Sequence, residues 1–267
     1  MRYGCCLSMV ASKEDPLGLR YLEEAAHLGF DYVELPLTGL AGLSEEEFTA
    51  LQERLKSAGI GCEACNNFFP GEMHLIGPDR DEEQILKYTE LVLGRAAELG
   101  AEFAGLGSGP ARSVPKGVTL EEGYEQLKGL LRKQDEIAAA KGITILIEPL
   151  RSKESNLIHT VWEGRRLAEE VNREHVKFLV DYYHLCEEKE PVAHVACQDP
   201  KELCHVHFAR PQDRYYPVKE EKKDYQEFFQ ALKSIGYNKR VSFEAYARDF
   251  SEEAREALCL LKEQLGE

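Results

Sequence analysis

The fold class predicted is a single (β/α)8 barrel, the TIM barrel, spanning residues 1–267 as one domain. Three observations lead there. Short β-like runs alternate strictly with longer helix-like segments, eight of each, and alternating βα units imply a parallel sheet. Helix–glycine–strand junctions recur at Gly29, Gly59, Gly100, Gly142 and Gly236. The 267 residues match the ~250 of one such barrel. An open doubly wound sheet is the competing architecture, but no glycine-rich phosphate fingerprint follows the first strand.

Each element has its own signal. Tyr3–Ser8 reads as the first strand, and Pro16 is placed to start a helix that stops at Gly29. Asp31–Leu35 is the second strand. Ser44-Glu45-Glu46-Glu47 is a capping box opening the next helix. Ile60–Asn66 is strand three, followed by a helix from about Asp81 to Leu99. Glu102–Leu106 is strand four. A second capping box at Thr119–Glu122 opens a helix to Lys141. Ile143–Glu148 is strand five, and the next helix runs from Thr160 to Val171. Val176–Asp181 is strand six, with a weak helix over Val192–Ala196. Leu203–Phe208 is strand seven, Asp224–Ile235 a helix, Arg240–Ala245 strand eight and Ser251–Leu265 the last helix. No linker or low-complexity stretch divides the chain.

Composition removes several functions. Lys and Arg number 33 against 48 Asp and Glu, a net charge of −15. Phosphate-backbone binding needs clustered cations, so nucleic acid is not an expected partner. Anionic membrane surfaces are excluded on the same ground, and no apolar run approaches the ~20 residues of a membrane span. The N-terminus is too short and polar-flanked for an export signal, so a cytoplasmic location is expected. The eight cysteines form no disulfide framework. Cys62-Glu63-Ala64-Cys65 is formally a CxxC, but it has no second pair at zinc spacing and reads as buried small apolar residues.

Catalytic groups of such a barrel project from the C-terminal ends of its strands. Strand five ends at Glu148, strand six at Asp181, strand seven carries His205 and His207, and strand eight carries Glu244. Glu148, Asp181, His207 and Glu244 stand 33, 26 and 37 residues apart, roughly one βα unit each. Three carboxylates at one mouth would repel one another, and one divalent cation removes that cost. Two Glu, one Asp and one His suit Mn²⁺ first, with Mg²⁺, Co²⁺ or Zn²⁺ also compatible. His205 and His207 share a face by period-2 geometry. His207 is chosen because it is nearer the strand end, with His205 as the alternative.

These residues reach a known family. Ile147-Glu148-Pro149-Leu150, Arg151 to Asn156, Val180-Asp181-Tyr182-Tyr183-His184, His205-Val206-His207 and Phe243-Glu244 together resemble the xylose-isomerase-like barrel superfamily. Within it the likeness is closest to ketose 3-epimerases. The resemblance implies that Glu148, Asp181, His207 and Glu244 are metal ligands. It also implies that Glu148 and Glu244 are acid/base carboxylates on opposite faces of a bound sugar. Glu154, His184 and Arg214 are implied substrate contacts. The loop from His207 to Arg214 is one residue longer than the family pattern, so Arg210 is an alternative to Arg214. The implied partner is a small sugar or sugar phosphate, and the implied assembly a homodimer or homotetramer. The implied chemistry is that of a sugar epimerase or an aldose–ketose isomerase: proton transfer beside a carbonyl through a metal-stabilised enediolate.

Other features carry less. Gly105–Arg112 follows strand four, and its backbone and Arg112 are candidates for holding an anion, against a plain flexible loop. The aromatics of Asn66-Asn67-Phe68-Phe69-Pro70 could cover a sugar face or close the mouth, against packing in the core. Glu34 could bind a hydroxyl or pair with a neighbour. Trp162 reads as packing, and the acidic runs Glu45–Glu47 and Glu187–Glu190 as solvated faces. Three other functions are compatible with parts of this pattern. One is a dehydratase of the inosose or dehydroshikimate type on the same scaffold, and another is an apurinic-site endonuclease, which would need more histidines and a basic groove. The third is a non-catalytic sugar-binding protein.

Overall fold

A computed structural model describes residues 1–266 as a closed barrel of eight parallel strands in sequential order, with β1 paired to β8. The strands are β1 (Arg2–Cys6), β2 (Tyr32–Pro36), β3 (Gly61–Asn66), β4 (Phe103–Leu106), β5 (Thr144–Ile147), β6 (Val176–Asp181), β7 (Leu203–Phe208) and β8 (Arg240–Phe243). The α-helices are α1 (Leu22–Leu28), α2 (Leu37–Ala41), α3 (Glu45–Ala58), α4 (Glu82–Glu98), α5 (Gly109–Arg112), α6 (Leu120–Lys141), α7 (Val161–Val171), α8 (Tyr182–Glu187), α9 (Ala193–Ala196), α10 (Lys222–Ser234) and α11 (Phe250–Leu265).

Local chemistry accounts for the boundaries. Both expected capping boxes form, Ser44 with Glu47 and Thr119 with Glu122, and a third pairs Thr160 with Glu163. All five junction glycines adopt positive φ, as a left-handed helix terminus requires. The main core lies between the barrel and its helices, where the strands' outward apolar residues meet the helices' inner faces. A small second cluster groups Leu146, Leu179 and Cys204, with Phe103 packed against it.

Three local expectations need correction. Pro16 does not start a helix. The Asp15 carboxylate accepts hydrogen bonds from the Leu19 and Arg20 N–H groups, so the chain turns there through a 3-10 segment and α1 begins at Leu22. Trp162 is 39% exposed rather than packed away, edge-on to His194 and beneath Arg165. Glu190 is buried, because its carboxylate accepts the Val161 N–H at the start of α7 and pairs with His194. Among the described residues, no helix is long and apolar enough to cross a membrane.

Register positions the site. Asp181 on β6 pairs with His207 on β7, and the next steps pair His207 with Ser242 and Phe208 with Phe243. Glu244 follows at once, its N–H bonded to Phe208 O. Glu148 extends β5 by one bond, its N–H donating to Leu106 O. The four strand-end residues therefore reach the same level at the same mouth.

Candidate active site

Glu148, Asp181, His207 and Glu244 converge at that mouth, and one ligand atom from each lies within 4.8 Å of all the others. All four are buried. His207 Nδ1 donates to Glu148 Oε1 at 3.0 Å and stands 3.7 Å from Glu244 Oε2. Asp181 caps α8: its Oδ1 accepts from the Tyr183 and His184 N–H groups, while Oδ2 has no hydrogen-bond partner. The Arg214 guanidinium lies against Glu244 and 3.7 Å from Asp181 Oδ2.

Electrostatic strain marks the cluster. Burial pushes the Asp181 carboxyl up to about 7, with Glu244 and Glu148 adding to the push against Arg214. Burial and Glu244 raise Glu148 as well. Burial would also raise Glu244, but Arg214 and His207 outweigh it and hold that carboxyl near 2. Three buried carboxylates, one of them with an orphaned oxygen, and one imidazole nitrogen form a donor set that fits a divalent cation of the oxygen-preferring kind.

The surrounding cleft has a volume of about 300 Å³ and is walled by Phe69, Gly107, Glu154, His184 and Arg214 together with Glu148 and Glu244. His184 Nδ1 accepts the Arg151 backbone N–H, so its neutral ring carries the proton on Nε2, which has no other partner. Burial and Arg214 hold this imidazole neutral, with its pKa pushed down to about 3. Glu154 accepts from Arg151 Nε. Gly107 makes room for Glu148: a Cβ there would meet Glu148 Oε2 at 2.3 Å.

The structure separates the two arginines after β7. Arg214 sits in the left-handed region at φ 62, a conformation costing about 1–2 kcal/mol in a residue with a Cβ. Bonds from its N–H to Arg210 O and from Tyr246 N–H to its O hold it there, and its side chain enters the cleft. Arg210 pairs instead with Asp213 and Glu221.

Arg112 differs from expectation. It is fully buried and outside the cleft lining, because Nη1 and Nη2 turn inward to the carbonyls of Leu106 and Ile158. It ties the end of β4 to the loop after β5. Phe68 is buried in the core, whereas Phe69, stacked on it, lines the cleft. Cys62 and Cys65 are buried, with their sulfurs 3.8 Å apart.

Sequence reasoning did not single out Asn66 as a partner of the site. Its Nδ2 donates to Glu244 Oε1 at 3.0 Å and to Ser8 Oγ at 3.1 Å. Its place at the end of β3 was the available signal. Glu34 likewise bonds across the barrel to His205 and His207.

Fold and site together define a class: the chain belongs to the xylose isomerase-like TIM barrel family, whose model matches residues 22–264. Particular relatives follow. A 3-dehydro-D-guloside 4-epimerase of Escherichia coli strain K12 is 26% identical, over 91% of this chain and 92% of its own. A D-psicose 3-epimerase of Ruminiclostridium cellulolyticum is 27% identical, over 85% of this chain and 78% of its own. A solved D-psicose 3-epimerase structure, determined in the presence of D-fructose, matches with a TM-score of 0.86 over 100% of both chains. At 21% identity, that last likeness speaks for the fold.

Proposed function

We propose that the protein is a divalent-metal-dependent epimerase of an unphosphorylated ketose. The observation that carries this reading is the convergence of Glu148 and Glu244 on one sugar-sized cleft, both against His207. The epimerase names of its relatives support the same reading. Glu148, Asp181, His207 and Glu244 would hold the ion, and Mn²⁺ is our first choice for this oxygen-rich set. A bound cation would supply Lewis-acid stabilisation of charge developing beside the sugar carbonyl.

The chain's own groups do the rest. One of Glu148 and Glu244 takes the proton from the carbon next to the carbonyl, and the other returns a proton to the same carbon from the opposite face. That carbon is thereby inverted and nothing else changes. A positioned general acid or base contributes about 10²–10⁴-fold. The His184 Nε2–H and the Arg214 guanidinium point at the cleft as donors to sugar oxygens on which charge grows. Glu154 accepts from a hydroxyl. A phosphate fits poorly, since Arg214, the one cation among the described wall residues, is already shared among Glu244, Asp181 and Glu154.

The direct test is product formation from free ketoses and their phosphates, with Mn²⁺ present and after EDTA. Epimers of a free ketose, lost on chelation, support the reading; turnover of phosphates alone would reverse the substrate assignment. Removing the Arg214 contact should cost about 10–100-fold in kcat/KM, the value of a charged hydrogen bond. Arg210→Ala should stay within about twofold of the parent. The opposite order in steady-state kinetics would transfer the substrate contact to Arg210.

A further inference from the structure

The inside of the barrel holds a polar column below the site. Glu34, on β2, is fully buried. Its Oε2 accepts from His207 Nε2 at 3.1 Å, and its Oε1 accepts from His205 Nε2. Strands β1 and β8 stand between β2 and β7, so both bonds cross the barrel interior. A buried carboxylate reaching across a barrel is costly unless it is fully partnered, and here both oxygens are spent on imidazoles.

We propose that Glu34 is a positioning residue that decides which nitrogen of His207 faces the metal ligands. This rests on the metal-site reading above. With Nε2–H committed to Glu34, the proton that Nδ1 donates to Glu148 in the ion-free protein is the one a cation would displace, and that frees the Nδ1 lone pair for the ion. Nδ1 is the atom facing Glu148 and Glu244. The same bond makes the ring a stronger donor and stops it rotating, as carboxylate partners of metal-bound histidines do. His205 anchors the other oxygen, so the carboxylate cannot swing. Cys6, Glu34 and His207 also lie close enough to suggest an ion of their own. However, Glu34's oxygens and His207 Nε2 are already bonded to one another and to His205, so within that trio only the Cys6 thiol lies outside these bonds.

The test is Mn²⁺ titration of the chelator-treated full chain by calorimetry, comparing the parent with Glu34→Gln. One ion per chain is expected in both, with the dissociation constant raised about 10–100-fold in the variant. An unchanged dissociation constant in a folded Glu34→Gln protein would overturn the assignment. So would two ions per parent chain, because Glu34 would then be a ligand. A parent that binds no ion would sink the metal reading instead. If the variant does not fold, nitrogen-15 NMR of the Zn²⁺-loaded parent decides: a protonated His207 Nε2 and a metal-shifted Nδ1 are expected, and the reverse overturns the proposal.

Discussion

Glu244→Gln is expected to cut ketose epimerisation by about 10²–10⁴-fold, the worth of one positioned acid/base group, while the barrel stays folded. Glutamine keeps the volume and an oxygen for the Asn66 Nδ2 bond. It cannot take a proton at neutral pH. Glu148→Gln should be equally damaging, because inversion needs a proton-carrying group on each face. The two losses will not add when the variants are combined, since the groups act as a unit. Steady-state epimerisation with circular dichroism as the folding control is the measurement. Activity like that of the parent would remove Glu244 from the mechanism.

Metal removal is the second large effect, and its pH dependence has a definite sign. Asp181 in the ion-free protein is raised to about 7. The folded state thus holds a proton there that the unfolded chain releases at ordinary carboxylate pH. Its contribution to stability is greatest below about pH 4 and is lost as pH rises through about 7. Glu244 has the opposite sign, but its window lies toward pH 2, outside the working range. A divalent cation needs Asp181 ionised, so Mn²⁺ should stabilise the protein more at pH 8 than at pH 6. At a hundredfold excess over Kd the gain is about 2.7 kcal/mol, or roughly 5–10 °C in Tm for a domain of this size. Thermal melts with Mn²⁺ and with EDTA at the two pH values check this. Equal melts throughout would count against an ion at these four residues.

The barrel was legible because its signals are local. Capping boxes at Ser44 and Thr119 and the left-handed glycines at 29, 59, 100, 142 and 236 depend on neighbours within a few residues. Asp181 and His207 could be placed together because adjacent parallel strands keep strand ends level. Cross-barrel contacts were not legible in the same way. Whether Glu34 meets a hydroxyl or a histidine depends on side chains 171 and 173 residues away. Arg112 shows the converse: a cation beside a glycine-rich turn reads as an anion site until loop carbonyls are found to claim it. Arg214 and Arg210 were separable only once the left-handed turn at Arg214 aimed one of them inward.

Hydrogen exchange in D₂O tests the central claim most directly. The Mn²⁺-loaded protein would be incubated with free ketoses, aldoses and inososes and read by NMR. The account predicts deuterium at one carbon beside the carbonyl of a free ketose, appearing with the inverted epimer and abolished by EDTA. Deuterium that survives chelation, or epimer formed with full retention of the substrate's own hydrogen, would contradict it.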